Sequence, residues 1–420
     1  MSQKLRVWVG LALLAVIITA PPAAADGLSD AVPVLGERFS GQLVGVSEDW
    51  QVAFSTGAAE RQLPLRQLVR WGNYSDKSDG TQILLSDGSV LPAKVLRLAS
   101  DSLVIDAKLW GEVSFKSTSC RGVIFACSGN PLERDRQWDR IRTAPAAEAR
   151  LFLRNGDEIS GQLTKGSDED DDVAAFGIEL VDFIPPTGMA TSFDVSQVQM
   201  LALESQSTRL APVACSLGFT DGSLLAVSMI RRDGEMVAIE LACGVRLRAN
   251  ARRMWQRVSC IESQQAEVTY LSDLRPADYK HFPFLTVSWP LGVDKNVLGG
   301  RLRSGGYIAS KGLGVHARAR LVYNLDRWYS RLEAELALDD QAGRDGSVVF
   351  RIFVERPEAT ARKWNLAYTS PIVRGSNAAI PISIDVTNAT RVALAVETAD
   401  LGDTLDHANW LHARLVSASD

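Results

Sequence analysis

The chain has 420 residues, 45 of them basic and 50 acidic, for a formal charge of −5. An acidic balance without a clustered basic stretch excludes nucleic acid as a partner. A chain of this length exceeds one ordinary hydrophobic core, so roughly two to four domains are expected.

At the N-terminus, Lys4 and Arg6 precede an apolar run from Val7 to Ala20. Pro21, Pro22 and three alanines then lead to Asp26. This is the pattern of a secretory signal peptide over residues 1–25. The run is short for a membrane span, which needs about 20 apolar residues. The expected location is therefore secreted or periplasmic, within the cell envelope. Without residues 1–25, 43 basic residues face 50 acidic ones. The five cysteines are Cys120, Cys127, Cys215, Cys243 and Cys260. In an exported protein four of them can pair, Cys120 with Cys127 across a small loop and one bridge among the other three. A zinc site is excluded, because no Cys-x-x-Cys pair occurs and every histidine lies at 281 or beyond.

A phrase then repeats along the chain. Gly36 to Leu43, Leu85 to Leu91, Leu153 to Leu163 and Phe219 to Leu225 each run from an apolar strand into Gly, Asn-Gly or Asp-Gly and out into a second strand. Tight hairpin turns favour these pairs because glycine accepts positive φ and Asn or Asp tolerates it. Glycines 36, 88, 156 and 222 are 52, 68 and 66 residues apart, room for four or five short strands each. Patches such as Leu65 to Val69 and Phe193 to Val198 close most units. The reading is of small antiparallel β-barrels or meanders, two over 26–130 and two over 150–260. The phrase, best matched at 153–163, is similar to the opening strands of Sm-like and SH3-like barrels.

Between the two pairs, residues 131–149 carry Leu132, Trp138 and Ile141 at near-helical spacing amid charges, with Pro131 allowed in a first turn. A short surface helix linking the pairs is expected. Ser167 to Asp172 is an acidic run whose carboxylates repel one another and stay hydrated at a hairpin tip, in preference to forming a calcium site. Residues 261–269 are polar and mark the boundary before the last domain.

From Tyr270 the pattern is a succession of alternating strands. Leu332, Ala334, Leu336 and Leu338 face one way, and Arg331, Glu333 and Glu335 face the other, one side buried and one wet. Val348 to Val354, Ile382 to Val386 and Val392 to Val396 repeat this. The spacing predicts a β-sandwich over 270–420 and an all-β fold for the whole chain.

Two phrases about 90 residues apart are more specific. They run from Ser310 through Lys311, Gly312, Gly314 and His316 to Ala317, and from Asp403 through Asp406, His407 and Asn409 to Trp410. With Tyr270 to Leu274, Tyr323, Tyr329, Leu338 to Asp340, Gly346 to Phe350 and Val386 to Ala389, they resemble the NPCBM module, a carbohydrate-binding module found beside glycoside hydrolases of family 98. The resemblance implies a jelly-roll sandwich similar to galactose-binding domains. It also implies a glycan, galactose-containing among the candidates, held at loops on one end, and a structural calcium beside it.

A sugar needs hydrogen-bond donors and acceptors for its hydroxyls and an aromatic face for its apolar side. His316, Asp406, His407, Asn409 and Trp410 supply these types. Trp289 and Trp364 are loop aromatics that could serve as platforms. Alternation sends Asn409 and Trp410 to opposite faces, so only part of the set meets one ligand. Trp410 suits anchoring the core better than serving as a platform, and His316 suits a structural hydrogen bond as well as a ligand contact. Asp339 and Asp340 open a loop as calcium ligands or as acceptors for backbone N–H groups. The segment from Lys280 to Trp289 is rich in aromatics where the module has a variable loop.

No Gly-x-Ser-x-Gly elbow, HExxH or phosphate-binding glycine loop occurs. Asp339 and Asp340 are too close in sequence to act as a glycosidase pair. The expected function is non-catalytic glycan binding by residues 270–420, with no cofactor required. The competing expectation is an envelope scaffold whose sandwich makes protein contacts.

Overall fold

The computed structural model describes residues 28–57, 59–77, 80–164, 177–204, 209–284, 286–325, 328–357, 362–400 and 402–417. The signal-peptide reading of residues 1–25 and the acidic run 167–172 lie outside the described residues. Among the described residues no helix is long and apolar enough to cross a membrane.

Four units of one design occupy residues 29 to 263. The first contains strands Ser29–Pro33, Phe39–Val46, Gln51–Ser55, Glu60–Pro64 and Leu68–Gly72, and its first strand pairs with both the second and the fifth. Residues 82–124, 149–202 and 215–263 repeat that pattern. A helical turn precedes each closing strand, at Leu65–Gln67, Ser117–Ser119, Val195–Gln197 and Ala251–Trp255. The patch that closes each unit in sequence is this turn running into the fifth strand. Glycines 36, 88, 156 and 222 sit in the opening hairpins at φ between 87° and 96°, the left-handed region that excludes most side chains. In three of these turns Asp87, Asn155 or Asp221 accepts the N–H two residues on, at 2.9 to 3.0 Å, which fixes the turn locally.

The units do not pair in sequence order. The fifth strand of the first unit pairs with that of the fourth, Gly72 opposite Cys260 and Trp71 opposite Ile261. The fifth strand of the second pairs with that of the third, Gly122 opposite Ala202. Closing strands have one free edge, and such edges pair with each other when the chain reverses. A single apolar core then runs from Ala31 to Ile261. Ile261–Ser263, expected in a linker, thus belong to a core strand, Val258–Ser263. All five cysteines are free thiols. The expected bridges are absent: Cys120 lies opposite Leu85, Cys215 opposite Val227 and Ser263, and Cys260 opposite Gly72 and Gly218, so none of these three faces another cysteine across its ladder.

The connecting helix, Pro131–Thr143, is capped by Asn130, whose side chain accepts from Leu132 N and Glu133 N. It is not the surface helix expected. Arg134, Asp135 and Gln137 are buried and Ile141 is fully enclosed, because the charges find partners across a junction.

The C-terminal sandwich has two sheets. One orders strands Gly292–Val293, Gly312–His316, His407–Ser417, Tyr329–Leu338 and Ile380–Asp385. The other orders Asp278–His281, Ala319–Asn324, Arg391–Thr398, Ser347–Pro357 and Arg362–Thr369. Leu332, Leu336, Phe350, Ile352, Leu394 and Trp410 fill the space between them. The face carrying Glu333 and Glu335, expected wet, is covered by the first unit. Glu335 is 7% exposed, and its Oε1 accepts from Arg70 at 2.7 Å with Arg38 at 3.0 Å. Beside this pair, Val32, Val34, Val69 and Val416 form an apolar contact.

A second ionic junction joins the sandwich to the helix. Asp76, from the segment after the first unit, accepts from Arg134 Nε at 2.7 Å, from Arg303 Nη1 at 2.8 Å and from Arg301 Nη2. Asp135 accepts from Arg301 Nε and Arg303 Nη2, both at 2.7 Å. Burial alone would raise the Asp76 pKa, but the three guanidiniums outweigh it and hold the carboxyl well below the usual range.

Replacing Gly72 with alanine places a Cβ 2.0 Å from Ser259 O at φ +69°. We expect a loss of more than about 3 kcal/mol by urea unfolding, against about 1 kcal/mol for Gly36→Ala, whose Cβ meets nothing. Asp76→Asn leaves three buried guanidiniums with one carboxylate, Asp135, between them and should cost about 3–5 kcal/mol at pH 7. Folded Asp76 stays ionised where an unfolded aspartate, near 3.8, takes up a proton. The gap between wild type and variant therefore narrows as the pH falls below about 4.

Candidate functional site

The two phrases singled out in sequence lie side by side. Gly312–His316 pairs antiparallel with the start of His407–Ser417, so that His316 faces His407, Gly314 faces Asn409 and Leu313 faces Trp410. Gly314 is required because a Cβ there would lie 2.4 Å from Lys295 O, in the segment that crosses over the strand. That segment covers Gly314, and the His316 and His407 pair lies at the end of the strand pairing.

Around this pair an aromatic cluster forms. The Trp289 ring stacks on His316 at 4.9 Å and 3° and lies 6.0 Å from His407. The two histidine rings are 5.6 Å apart, and His281 meets His316 edge-on at 5.7 Å. His281 was not singled out in sequence, and its only signal was its place in the aromatic segment before Trp289. It positions the tryptophan: Trp289 N donates to His281 Nδ1 at 3.2 Å, so Nε2 carries the ring proton and donates to Ala317 O at 3.2 Å. Tyr279 Oη donates to Trp289 O at 2.8 Å. Trp289 is half-buried with one face against His316.

Burial keeps all three imidazoles neutral. It lowers the His281 and His316 pKa values and, helped by the neighbouring His316, takes His407 down to about 4. The Nδ1 atoms of His316 and His407 have no partner. His316 and His407 are only 4% and 6% exposed, and a neutral imidazole offers one donor and one acceptor, so the cluster holds enclosed, uncharged polar atoms beside the half-buried indole.

The other expected residues are elsewhere. Trp410 is fully buried and packs edge-on against Phe350 at 4.9 Å, a core residue and not a platform. Asn409 is enclosed and donates to Asp339 Oδ2 at 2.8 Å. Asp406 is 2% exposed and turned towards Ser347, whose N–H it accepts at 2.7 Å. Burial, with Asp403 and Asp400 nearby, pushes its pKa up to about 6. Trp364 lies opposite Glu355, in register with Arg391 and Asn324, whereas His281 is in register with Ala319 and Val396. Five residues of strand, about 17 Å, separate those levels. Arg391 covers the Trp364 ring at 5.0 Å.

Asp339 accepts from Arg303 N and Gln341 N as well as Asn409, while Asp340 accepts from Gly305 N and Gly306 N at 2.7 and 2.8 Å. Both carboxylates are taken up by N–H donors, from the 303–306 hairpin, Gln341 and Asn409, and do not fit a shared calcium ion. Among the described residues no group of three or more His, Cys, Asp or Glu is arranged to hold a metal.

Residues 267–416 match the model of the NPCBM/NEW2 domain. A Renibacterium salmoninarum protein provisionally named endo-alpha-N-acetylgalactosaminidase is 27% identical over 118 residues, 28% of this chain and 7% of that protein's length. The solved CBM51-2 and INT domains of Clostridium perfringens ZmpB, in complex with GlcNAc, align with a TM-score of 0.31 and 21% identity over 43% of this chain and 36% of that one. The CBM51 of Clostridium perfringens GH95, in complex with methyl-galactose, aligns at 0.30 and 18% over 35% of this chain and 99% of its own. The tandem CBM51 modules of a Streptococcus pneumoniae family 98 glycoside hydrolase align at 0.31 and 11%, covering 83% and 96%.

The two titrations of this end oppose each other. Between about pH 6.5 and 4 the unfolded chain binds more protons at His407, so acidification costs up to about 3 kcal/mol there. Between about pH 6 and 3.8 the folded chain binds more at Asp406, so acidification returns about as much. Asp406→Asn should therefore lose stability more steeply than wild type from pH 6.5 to 4, and His407→Gln less steeply, since His281 and His316 with lowered pKa values remain, read as urea midpoints across that range.

Proposed function

We propose that the chain is an exported, non-catalytic glycan-binding protein whose ligand sits against Trp289, His316 and His407. The observation that carries this reading is the indole stacked on a neutral histidine beside a second one, at the end of the sandwich. An apolar ring face with adjoining uncharged donors and acceptors suits a neutral sugar, whose C–H face stacks while its hydroxyls bond sideways. The match of residues 267–416 to the NPCBM/NEW2 domain supports it, and the N-terminal leader pattern supports export. The Asp339 and Asp340 carboxylates accept backbone N–H groups, which fits a role without catalytic acids.

A second reading, docking of an envelope protein on the four-unit half, is favoured by one feature. A cleft of about 810 Å³ opens between the first and fourth units, lined by Val44, Gln51, Ile230, Arg232 and Trp255 among others.

The test uses the full chain, because an isolated sandwich would expose Glu335 and Arg414, which the first unit buries. On a glycan array rich in galactosides, with and without calcium, we expect saturable binding that free sugar competes away. Trp289→Ala and His316→Ala should weaken it at least tenfold, about 1.4 kcal/mol, and Trp364→Ala should leave it unchanged. Silence from folded wild-type protein would overturn the glycan reading, and loss of binding in Trp364→Ala would overturn this placement of the site.

A further inference from the structure

Between His281 and Trp289 the chain makes an excursion that the glycan reading does not use. Phe284 is 66% exposed, Val287 67% and Phe282 39%. Residues 282–288 carry no charged side chain. The base of the excursion is fastened by Trp289 N to His281 Nδ1, by Tyr279 Oη to Trp289 O and by Phe282 N to Arg318 O at 2.9 Å. Lys280 Nζ lies over the Phe282 ring at 4.8 Å, which occupies one face of that ring and leaves Phe284 and Val287 as the open apolar surface. Exposed large apolar side chains grouped in this way on a tied loop mark a contact surface.

Chain geometry places that surface beside the indole. Phe284 is three residues from His281 and Val287 two from Trp289, so their Cα atoms lie within about 11 Å and about 8 Å of those anchors. Thr286 and Ser288 are exposed and interleaved with the apolar residues. Hydroxyls alternating with an aromatic and an aliphatic side chain, without charge, match the alternation of C–H faces and hydroxyl edges along a neutral oligosaccharide.

We propose that Phe284 and Val287, with the exposed hydroxyls of Thr286 and Ser288, form a second subsite that contacts the sugar residue joined to the one held at Trp289, so that the protein takes oligosaccharides in preference to single sugars. This rests on the glycan reading. The continuity with Trp289 and the lack of any charged side chain from 282 to 288 favour a sugar over an anionic membrane surface, which would call for several basic residues around the apolar tip, more than the Lys280 that lies over the Phe282 ring.

Calorimetry on the full chain tests it with two series, galactose, lactose and lacto-N-tetraose, and N-acetylglucosamine, chitobiose and chitotriose. In the series that binds, the disaccharide should bind roughly tenfold tighter than the monosaccharide. The Phe284→Ala/Val287→Ser double variant should lose that increment while keeping the monosaccharide affinity, whereas Trp289→Ala loses both. Equal affinity along the series, or an increment that survives in the double variant, overturns the second subsite and leaves the glycan reading standing. No binding in either series overturns both. Cosedimentation of wild type, but not the double variant, with phosphatidylserine vesicles in that case assigns the loop to lipid. Unchanged unfolding midpoints of the variants separate these outcomes from misfolding.

Discussion

Two carboxylates, Asp76 and Asp135, sit among Arg134, Arg301 and Arg303 where the helix, the segment after the first unit and the sandwich converge. Ions this well buried are tolerated only when each finds its counter-charge, since the desolvation cost of an unpaired one is several kcal/mol. Those five side chains come from three separate stretches of chain. Their pairing therefore admits one relative placement of the two halves. The 295–301 segment, whose Lys295 carbonyl lies over Gly314, is tied into that placement by Lys295 Nζ on Asp139 and Arg301 N on Asp135.

A consequence is that the sandwich is not a tethered head. Its outer face meets the first unit through Glu335, Arg70 and Arg38, with an apolar patch around Val69 and Val416. The segment Leu302–Ala309 continues the contact, with Ile308 N donating to Tyr74 O at 2.8 Å. The four units, for their part, close on themselves through their fifth strands. Pairing first with fourth and second with third makes one continuous core out of what the repeat spacing presents as beads.

The candidate site takes its character from this arrangement. Three imidazoles kept neutral by burial, with Trp289 fixed by His281 and Tyr279, make this end of the sandwich polar without charge beneath the indole. The acidic group closest in sequence, Asp406, is withdrawn to Ser347, where it holds the turn into the strand. Residue types suited to sugar binding thus divide into those that reach the end of the sheet and those that hold its framework.

Local chemistry was legible throughout. The hairpin turns at Gly88, Gly156 and Gly222, the helix from Pro131, the alternation in Tyr329–Leu338 and the sandwich itself follow from φ preference, capping and period, which neighbouring residues set among themselves. The phrases around His316 and His407 likewise marked the right strands. What the sequence left open is whatever depends on a partner far along the chain. Alternation shows that Glu335 points away from Leu336, but only Arg70, 265 residues earlier, makes that side dry. Likewise alternation puts His407 and Trp410, three residues apart, on opposite faces, but that the Trp410 side is the one packed beside Phe350 is set by the second sheet. The period of a strand fixes which side chains share a face. Which face is buried, and which end stays open, is decided by the packing of distant segments, and that only the tertiary structure supplies.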